Sequence, residues 1–387
     1  MSGGVDSSVA AHLLQREGYE VWGVFMQQGV PCRAADQAPA AGKDPDTDVD
    51  TDTDTDTDTG MDAGAGAADA VGADAAFSGQ SGTRTPEADD ARWVAQRLGF
   101  PLHVLDVRPV IARVIDYFVD EYVRGRTPNP CVKCNIWLKF GYLFDYASQL
   151  GAEFVATGHH ARLRVPESGL PELHAGADRG KDQSYVLFGI DREKLRRIRL
   201  PIGAYPKREV RRIARELGLR VADKRDSQEI CFVAPGQHAQ LVRQRRTGSQ
   251  PPGGQIVTVD GQVVGSHDGL ESFTIGQRKG LGVALGQPYY VVRIEAGTRR
   301  VVIGRREDLA RRELTATPTR WLIDPPSGPW RCQAKIRYNA APAEATAERL
   351  DGDRLRIVFD RPCYGVAPGQ AVVCYDGTRV LGGGWIE

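Results

Sequence analysis

The sequence contains no run of about 18 apolar residues, the length at which a helix crosses a bilayer, so no membrane-spanning helix is expected. Its N-terminus shows neither the basic nor the apolar region of a secretory signal, and the expected compartment is the cytoplasm. The seven cysteines are odd in number and unevenly spaced, unlike a secreted disulfide framework. In a reducing compartment, a Cys pair is expected to be catalytic or metal-binding. No second C-x-x-C stands at finger spacing from Cys131 and Cys134, which argues against structural zinc. No lysine follows the glycines near the start, so that stretch is not the G-x-x-x-x-G-K-[ST] loop that grips transferable phosphates.

The absence of net charge is misleading. Residues 36–74 hold twelve Asp and only one basic residue, Lys43. Setting them aside leaves 38 acidic against 49 basic residues, a net of +11. A basic remainder suits a polyanionic partner. The acidic stretch has too little apolar surface to repay chain entropy, so a disordered low-complexity insertion is expected over 28–87. Its Asp-Thr repeat lacks the Gly and terminal Glu of a calcium-binding EF-hand loop.

What is present begins with Ser2-Gly3-Gly4-Val5-Asp6-Ser7-Ser8. Two glycines let backbone N–H groups approach a polyanion, and the helix that follows favours negative charge at its start. Val9, Ala10, Leu13 and Leu14 form the apolar stripe of that helix, and a strand is predicted over Glu20 to Met26. A doubly wound sheet carries a strand before such a loop. None precedes it here, so a late start or a truncation is expected, with unpaired edges on the neighbouring strands.

Alternating helices and strands follow from Ala88 to about Thr157, indicating a mostly parallel Rossmann-like α/β sheet. Between them, Thr127 to Asn135 carries two prolines and reads as an extended loop leading into a helix over Ile136 to Leu150. Pro206 is expected to start another helix. Beyond about Gln240, short β-rich runs with Gly and Pro between them predict a small β-rich central domain and a C-terminal β-barrel. The chain is too long for one core. The expected domains are 1–239 (nucleotide-binding), 240–305 and 306–387.

Three cysteines are singled out. Cys131 and Cys134 precede a helix N-terminus, and that dipole together with Lys133 is expected to lower a thiol pKa. Cys231 lies in a polar segment with Asp226, Gln228 and Glu229. Cys32, Cys332, Cys363 and Cys374 read as small hydrophobes. Three thiolates with an open position are also the ligand set of an iron–sulfur cluster on Cys131, Cys134 and Cys231. His159 and His160 follow a strand, where α/β sheets bind ligands. A core or solvent-facing role stays open for His160.

Ser2 to Ser8, Thr127 to Asn135, Ala156 to His159, Lys181 to Tyr185, Asp226 to Phe232, Thr274 to Gly282, Pro368 to Gln370 and Leu381 to Gly384 occur in one order. Together they resemble the bacterial tRNA-specific 2-thiouridylases of the ATP pyrophosphatase superfamily. The resemblance implies 2-thiolation of the wobble uridine of tRNA. Ser2, Gly3, Gly4, Val5, Asp6, Ser7, Met26 and Gly158 would hold ATP with Mg2+, and Asp6 would take part in catalysis. Cys231 would carry a persulfide received from a sulfur-relay protein. Cys134 would resolve it, leaving a Cys134–Cys231 disulfide. Asn129, Pro130 and Cys131 would line the target base. His159, Lys181, Asp182, Gln183, Arg337, Tyr338 and Gln370 would contact tRNA. The chain is expected to act as a monomer. It departs from the family in Cys131, where many members carry Asp. Two rivals are another ATP pyrophosphatase, such as an amidotransferase-type or lysidine synthetase, and a tRNA-binding protein without catalysis. The cysteine pair argues against the former.

Overall fold

The computed structural model describes residues 1–29, 85–167, 169–226, 230–234, 236–246 and 253–387. All but the ends of the expected insertion, together with Cys32, Gln228 and Glu229, lies outside them.

Helix α1 (Val5–Arg16) buries Val5, Val9, Ala10, Leu13 and Leu14 and leads to β1 (Gly23–Gln27). Helix α2 (Pro86–Leu98) starts earlier than the expected return of order at Ala88. Two local signals fix it there: Thr85 Oγ1 accepts the Ala88 N–H at 3.2 Å, and Pro86 stands in the first turn. Gly99, at φ 74°, ends the helix. Strand β2 (Leu102–Asp106) pairs in parallel with β1, and α3 (Arg108–Val123) buries Ile111, Val114, Ile115 and Phe118.

Thr127 to Asn135 is not wholly extended. Pro130 opens a short helix, α4 (Pro130–Cys134), and Asn129 Oδ1 caps it by accepting the Val132 N–H at 3.3 Å. The second proline, which was expected to hold the chain out, instead presets the φ of a first helical position. The helix continues without a break through a π-helical stretch, Asn135–Tyr142, into α5 (Leu143–Gln149).

Next come β3 (Val155–Ala156), β4 (Ala161–Arg164), β5 (Glu172–Ala175), β6 (Ile198–Arg199), α6 (Lys207–Glu216) and α7 (His238–Arg245). Strand β3 pairs in parallel with β6, so the α/β core holds two parallel pairs. A cleft of about 410 Å³ is lined by Gly23 and Val24 of β1 and by Val155 and Ala156 of β3. The amino group of Met1, at its rim, donates to the Val24 carbonyl.

The middle section is a four-stranded sheet of β7 (Gly254–Thr258), β8 (Val263–His267), β9 (Tyr290–Glu295) and β10 (Arg300–Gly304), in the order β8-β7-β10-β9. The last section holds β11 (Ala310–Trp321), β12 (Trp330–Lys335), β13 (Ala343–Leu350), β14 (Arg354–Tyr364), β15 (Ala371–Asp376) and β16 (Arg379–Ile386). These run β11-β14-β13-β12-β15-β16, and β16 pairs back with β11, closing a six-stranded barrel. The sequence runs had pointed to only some of these strands, because β11 and β13 alternate with polar residues on their outer faces. The hairpin β4–β5 is joined to the barrel edge, Arg379 pairing with His174, so the first and last sections share one sheet.

Candidate nucleotide and thiol site

The phosphate loop is built by its own hydroxyls. Ser7 Oγ donates to the Gly4 carbonyl at 3.2 Å and accepts the Ser2 N–H at 3.2 Å. Gly4 is the N-cap of α1, and no side chain occupies the first-turn N–H groups. An open, 12-residue helix N-terminus of this kind is an anion site. Two glycines are required by close approach. Gly3 sits at φ 68°, and a Cβ there would lie 2.3 Å from the Glu87 carbonyl oxygen. A Cβ on Gly158 would lie 2.6 Å from the Asp6 backbone carbon and 2.7 Å from the Ser7 nitrogen. Gly158, just beyond β3, therefore packs directly under the loop. Val5 contributes backbone only, since its side chain is buried in the core. Met26 stands near the carboxyl end of β1, opposite Leu105.

Asp6 is the acidic residue of the first turn of α1. Lys207, at the start of α6, reaches its two carboxylate oxygens at 2.8 and 2.7 Å, and His160 Nε2 lies 3.3 Å from Oδ1. Burial alone would raise the Asp6 pKa, but the hydrogen bonds from His160 and Lys207 outweigh it and hold the carboxyl below its usual range. The same Lys207 ammonium is 2.8 Å from Asp226 Oδ1. Asp226 also pairs with Lys181 at 2.9 Å and Arg211 at 2.8 Å. There again burial opposes and the lysines win, bringing the pKa to about 2. Lys224 Nζ donates to the Gly3 carbonyl at 3.1 Å. His160 is thus buried and joins this network through Nε2, which rules out a solvent-facing role.

The thiols differ from expectation. Burial pushes Cys131 and Cys134 above the usual thiol range rather than below it. Lys133 does not oppose this. Its ammonium sits 3.5 Å from the centroid of the Trp385 ring, with Tyr117 and Trp137 at 5.2 and 5.5 Å. Burial there lowers its own pKa to about 8. The cation that acts on both thiols is Lys139, which lowers each. In an α-helix, residues five apart point about 140° away from one another. The wider π-helical turn over Asn135–Tyr142 brings position 139 back toward the cysteine face.

Lys139 Nζ also lies 3.1 Å from His159 Nε2. Burial first, then Lys139 and His160, hold His159 well below its usual pKa, so the ring is neutral. A neutral ring accepting from Lys139 at Nε2 carries its proton on Nδ1, which donates to Thr157 Oγ1 at 2.7 Å. Lys139 thus bonds the ring of His159, the neighbour of Gly158 under the phosphate loop, and its charge acts on both thiols.

Cys231 is exposed and lies next to Phe232, whose ring packs edge-on against Phe118 at 5.6 Å. None of the six described cysteines is in a disulfide. Among the described residues no group of three His, Cys, Asp or Glu side chains can hold a metal, so the three cysteines do not form the ligand set of an iron–sulfur cluster.

Gln370 Nε2 donates to the carbonyls of Thr127 and Pro128 at 3.2 and 3.0 Å, bracing the chain just before α4. Asp182 Oδ1 accepts the Gly176 and Ser184 N–H groups at 2.9 and 3.0 Å. Gln183 Oε1 accepts the His160 N–H at 2.9 Å. Arg337 donates to the Tyr364 carbonyl at 2.6 Å, and Tyr338 presents a half-exposed ring. Sequence reasoning missed Lys207 and Lys139. Lys207 had one signal, its place just after the helix-starting Pro206. Lys139 had none, since a π-helical turn leaves no mark in the apolar spacing.

An open helix N-terminus on a Rossmann-like sheet, with buried cations below it and a thiol pair beside it, defines a nucleotide-binding α/β protein of the HUP class. The family model described as the tRNA methyl transferase HUP domain matches residues 1–50 and 72–235. The tRNA methyl transferase PRC-barrel domain matches 244–305, and the aminomethyltransferase beta-barrel domain matches 311–386. The chain is similar over its whole length to proteins named tRNA-specific 2-thiouridylase MnmA. That of Rhodopirellula baltica is 49% identical, with 100% of this chain and 94% of the relative covered. That of Carboxydothermus hydrogenoformans is 43% identical, covering 100% and 96%. That of Geobacter metallireducens is 42% identical, covering 100% and 95%. The chain belongs to the tRNA-specific 2-thiouridylase family.

Proposed function

We propose that the protein is an ATP-dependent tRNA-uridine 2-sulfurtransferase acting on the wobble uridine. The observation that carries this reading is the open phosphate loop with Gly158 packed against it, next to a buried His159 bonded to Lys139, whose charge also lowers the Cys134 thiol. ATP binds with its phosphates over the α1 N-terminus, met by Lys207 and Lys224. Asp6, the carboxylate of that first turn, would hold the Mg2+ of the nucleotide, which would supply charge neutralisation there. The uracil C2 oxygen attacks the α-phosphate and pyrophosphate leaves, so that the oxygen becomes part of an AMP leaving group.

Cys231 receives a persulfide from a donor protein. Its terminal sulfur attacks C2 and AMP departs, leaving the base joined to Cys231 through two sulfurs. The Cys134 thiolate then attacks the Cys231 sulfur. The S–S bond to the base breaks, its electron pair stays on the base sulfur, and a Cys134–Cys231 disulfide forms that a reductant reopens. The base leaves its stack to reach both centres. Asn129, Pro130 and Cys131 line it, and His159, Lys181, Asp182, Gln183, Arg337, Tyr338 and Gln370 support the tRNA, some by bracing their neighbours. The protein acts in the cytoplasm as a monomer. The test is sulfur incorporation into tRNA from a persulfide donor, with and without ATP. Full thiolation by the Cys231→Ser variant would overturn the assignment.

A further inference from the structure

Lys335 ends β12 on the outer wall of the barrel. The strand alternation sends Ala334 into the barrel core and turns Lys335 toward the first domain. It is only 8% exposed. Its ammonium lies 5.7 Å from the ring centroid of Tyr185 and 5.7 Å from that of Tyr338. The two rings are 6.3 Å apart, inclined by 67°. Among the described residues this ammonium makes no hydrogen bond or ion pair. Asp182 is the carboxylate that acts on it, but both Asp182 oxygens are already occupied, by the Gly176 and Ser184 N–H groups and by the Ser184 hydroxyl at 2.9 Å.

The surroundings of this cation are those of the base-lining segment. The Tyr185 hydroxyl donates to the Ala371 carbonyl at 2.8 Å, and the neighbouring Gln370 holds the Thr127 and Pro128 carbonyls just before Asn129. Tyr338 is half-exposed, and burial first, then the charges of Asp182 and Cys131, push its hydroxyl pKa up. Cys131 is exposed. A lysine side chain buried this far, whose ammonium meets only ring faces near the limit of a cation–π contact, pays desolvation with little return. Such a group is satisfied when a ligand brings an acceptor.

We propose that Lys335 reads the target base, its ammonium donating a hydrogen bond to the O4 carbonyl of a uracil stacked on Tyr338. The inference rests on the function proposed above and adds its specificity. The reacting C2 oxygen is common to uracil and cytosine, so the chemistry cannot separate them. Position 4 can, because cytosine places an amine there and sets donor against donor. An aromatic ring beneath the base and one charged donor at its edge is the usual way single-stranded bases are read.

The test compares thiolation kcat/KM on two tRNA transcripts that differ only in carrying U34 or C34. Lys335→Met is expected to lower the value for U34 by about 10- to 100-fold while leaving that for C34 unchanged or higher, so the U/C ratio collapses. Lys335→Gln, which keeps a neutral donor, is expected to restore most of the ratio. Thermal unfolding midpoints report whether either variant disturbs the barrel, and Lys335→Gln carries the test should Lys335→Met fail to fold. A Lys335→Met protein whose U34 and C34 values fall together, with the ratio intact, would reduce Lys335 to a packing role. Wild-type protein unable to thiolate the U34 transcript would instead take down the functional reading itself.

Discussion

The phosphate-loop side of the first domain and the C-terminal barrel solve burial in opposite ways. The barrel closes its hydrogen-bonded ladder and fills its interior with Ala345, Ala347, Leu355, Ile357 and Phe359. Its ion pairs, such as Arg331–Asp360 and Arg356–Glu313, stay on the exposed outer face, where they contribute little. The first domain instead buries charge. Lys207, 7% exposed, lies between Asp6 and Asp226, and His160 completes the group. Such a network is a poor source of stability, because desolvation offsets much of the attraction. It is a good store of cations that a polyphosphate can claim by replacing one anion with another. The barrel supplies a wall, and the first domain supplies exchangeable charge.

The largest expected effect tests whether chemistry belongs to the first domain alone. Cys231→Ser is expected to lower thiolation on the order of 10³-fold or more, as loss of a covalent centre does, with no change in the thermal midpoint. A matching loss from Cys332→Ser, inside the barrel, would break the division.

Two core changes sharpen the contrast. Phe359→Ala should cost about 3–5 kcal/mol of stability by leaving a cavity, measured by denaturant unfolding, while KM for ATP holds in the folded fraction. Lys207→Met should also cost stability, about 1–3 kcal/mol, because it removes the buried cation shared by two carboxylates that keep only His160, Lys181 and Arg211, but here KM for ATP should rise as well. Asp226→Asn combined with Lys207→Met should recover part of the stability and none of the ATP affinity. Equal KM shifts in the Phe359 and Lys207 variants would show that the two regions are not separable.

The same contrast decides what was legible in the sequence. Gly3, Gly4 and Ser7 announce a phosphate loop because only backbone approach explains them, and the short β-runs announce a barrel. The Lys207 network was hidden, since its members stand at positions 6, 160, 207 and 226 and meet only through the fold. Lys133 was misjudged because sequence proximity to Cys134 says nothing about the Trp385 ring, which arrives from the last strand. The Pro128 and Pro130 spacing suggested extension, yet Asn129 capping made Pro130 the start of a helix. Local chemistry was readable; charge placed by long-range packing was not.

A pH experiment gives a smaller effect. Asp226 has a folded pKa of about 2, below the usual aspartate value of about 3.9. A carboxyl depressed on folding stabilises the protein fully above its unfolded value and loses that contribution as pH falls toward the folded one. Stability of the first domain should therefore fall between about pH 4 and pH 2, and Asp226→Asn should flatten that part of the curve. The exposed barrel pairs contribute no comparable step, so Asp360→Asn should leave the acid limb unchanged. A steeper acid loss in the barrel than in the first domain would reverse the assignment of buried charge.

The smallest expected effect separates two lysines that the sequence makes look alike. Lys133 adjoins Cys134 but spends its charge on Trp385, whereas Lys139, five residues on, lowers the Cys134 thiol against the pull of burial. The rate of Cys134 alkylation by iodoacetamide follows the thiolate fraction. With Cys131 and Cys231 replaced by serine and Lys139 kept, its rate should still be rising at alkaline pH, since burial holds the thiol pKa above its usual range. Lys139→Met removes the opposing cation and should slow alkylation at pH 8 by less than tenfold, that is by less than about one pKa unit. Lys133→Met should leave the rate unchanged and lower the thermal midpoint instead, because it empties an aromatic cage that joins α4 to β16. Were Lys133→Met to slow alkylation more than Lys139→Met, the π-helical turn would have no part in aiming charge at the thiols.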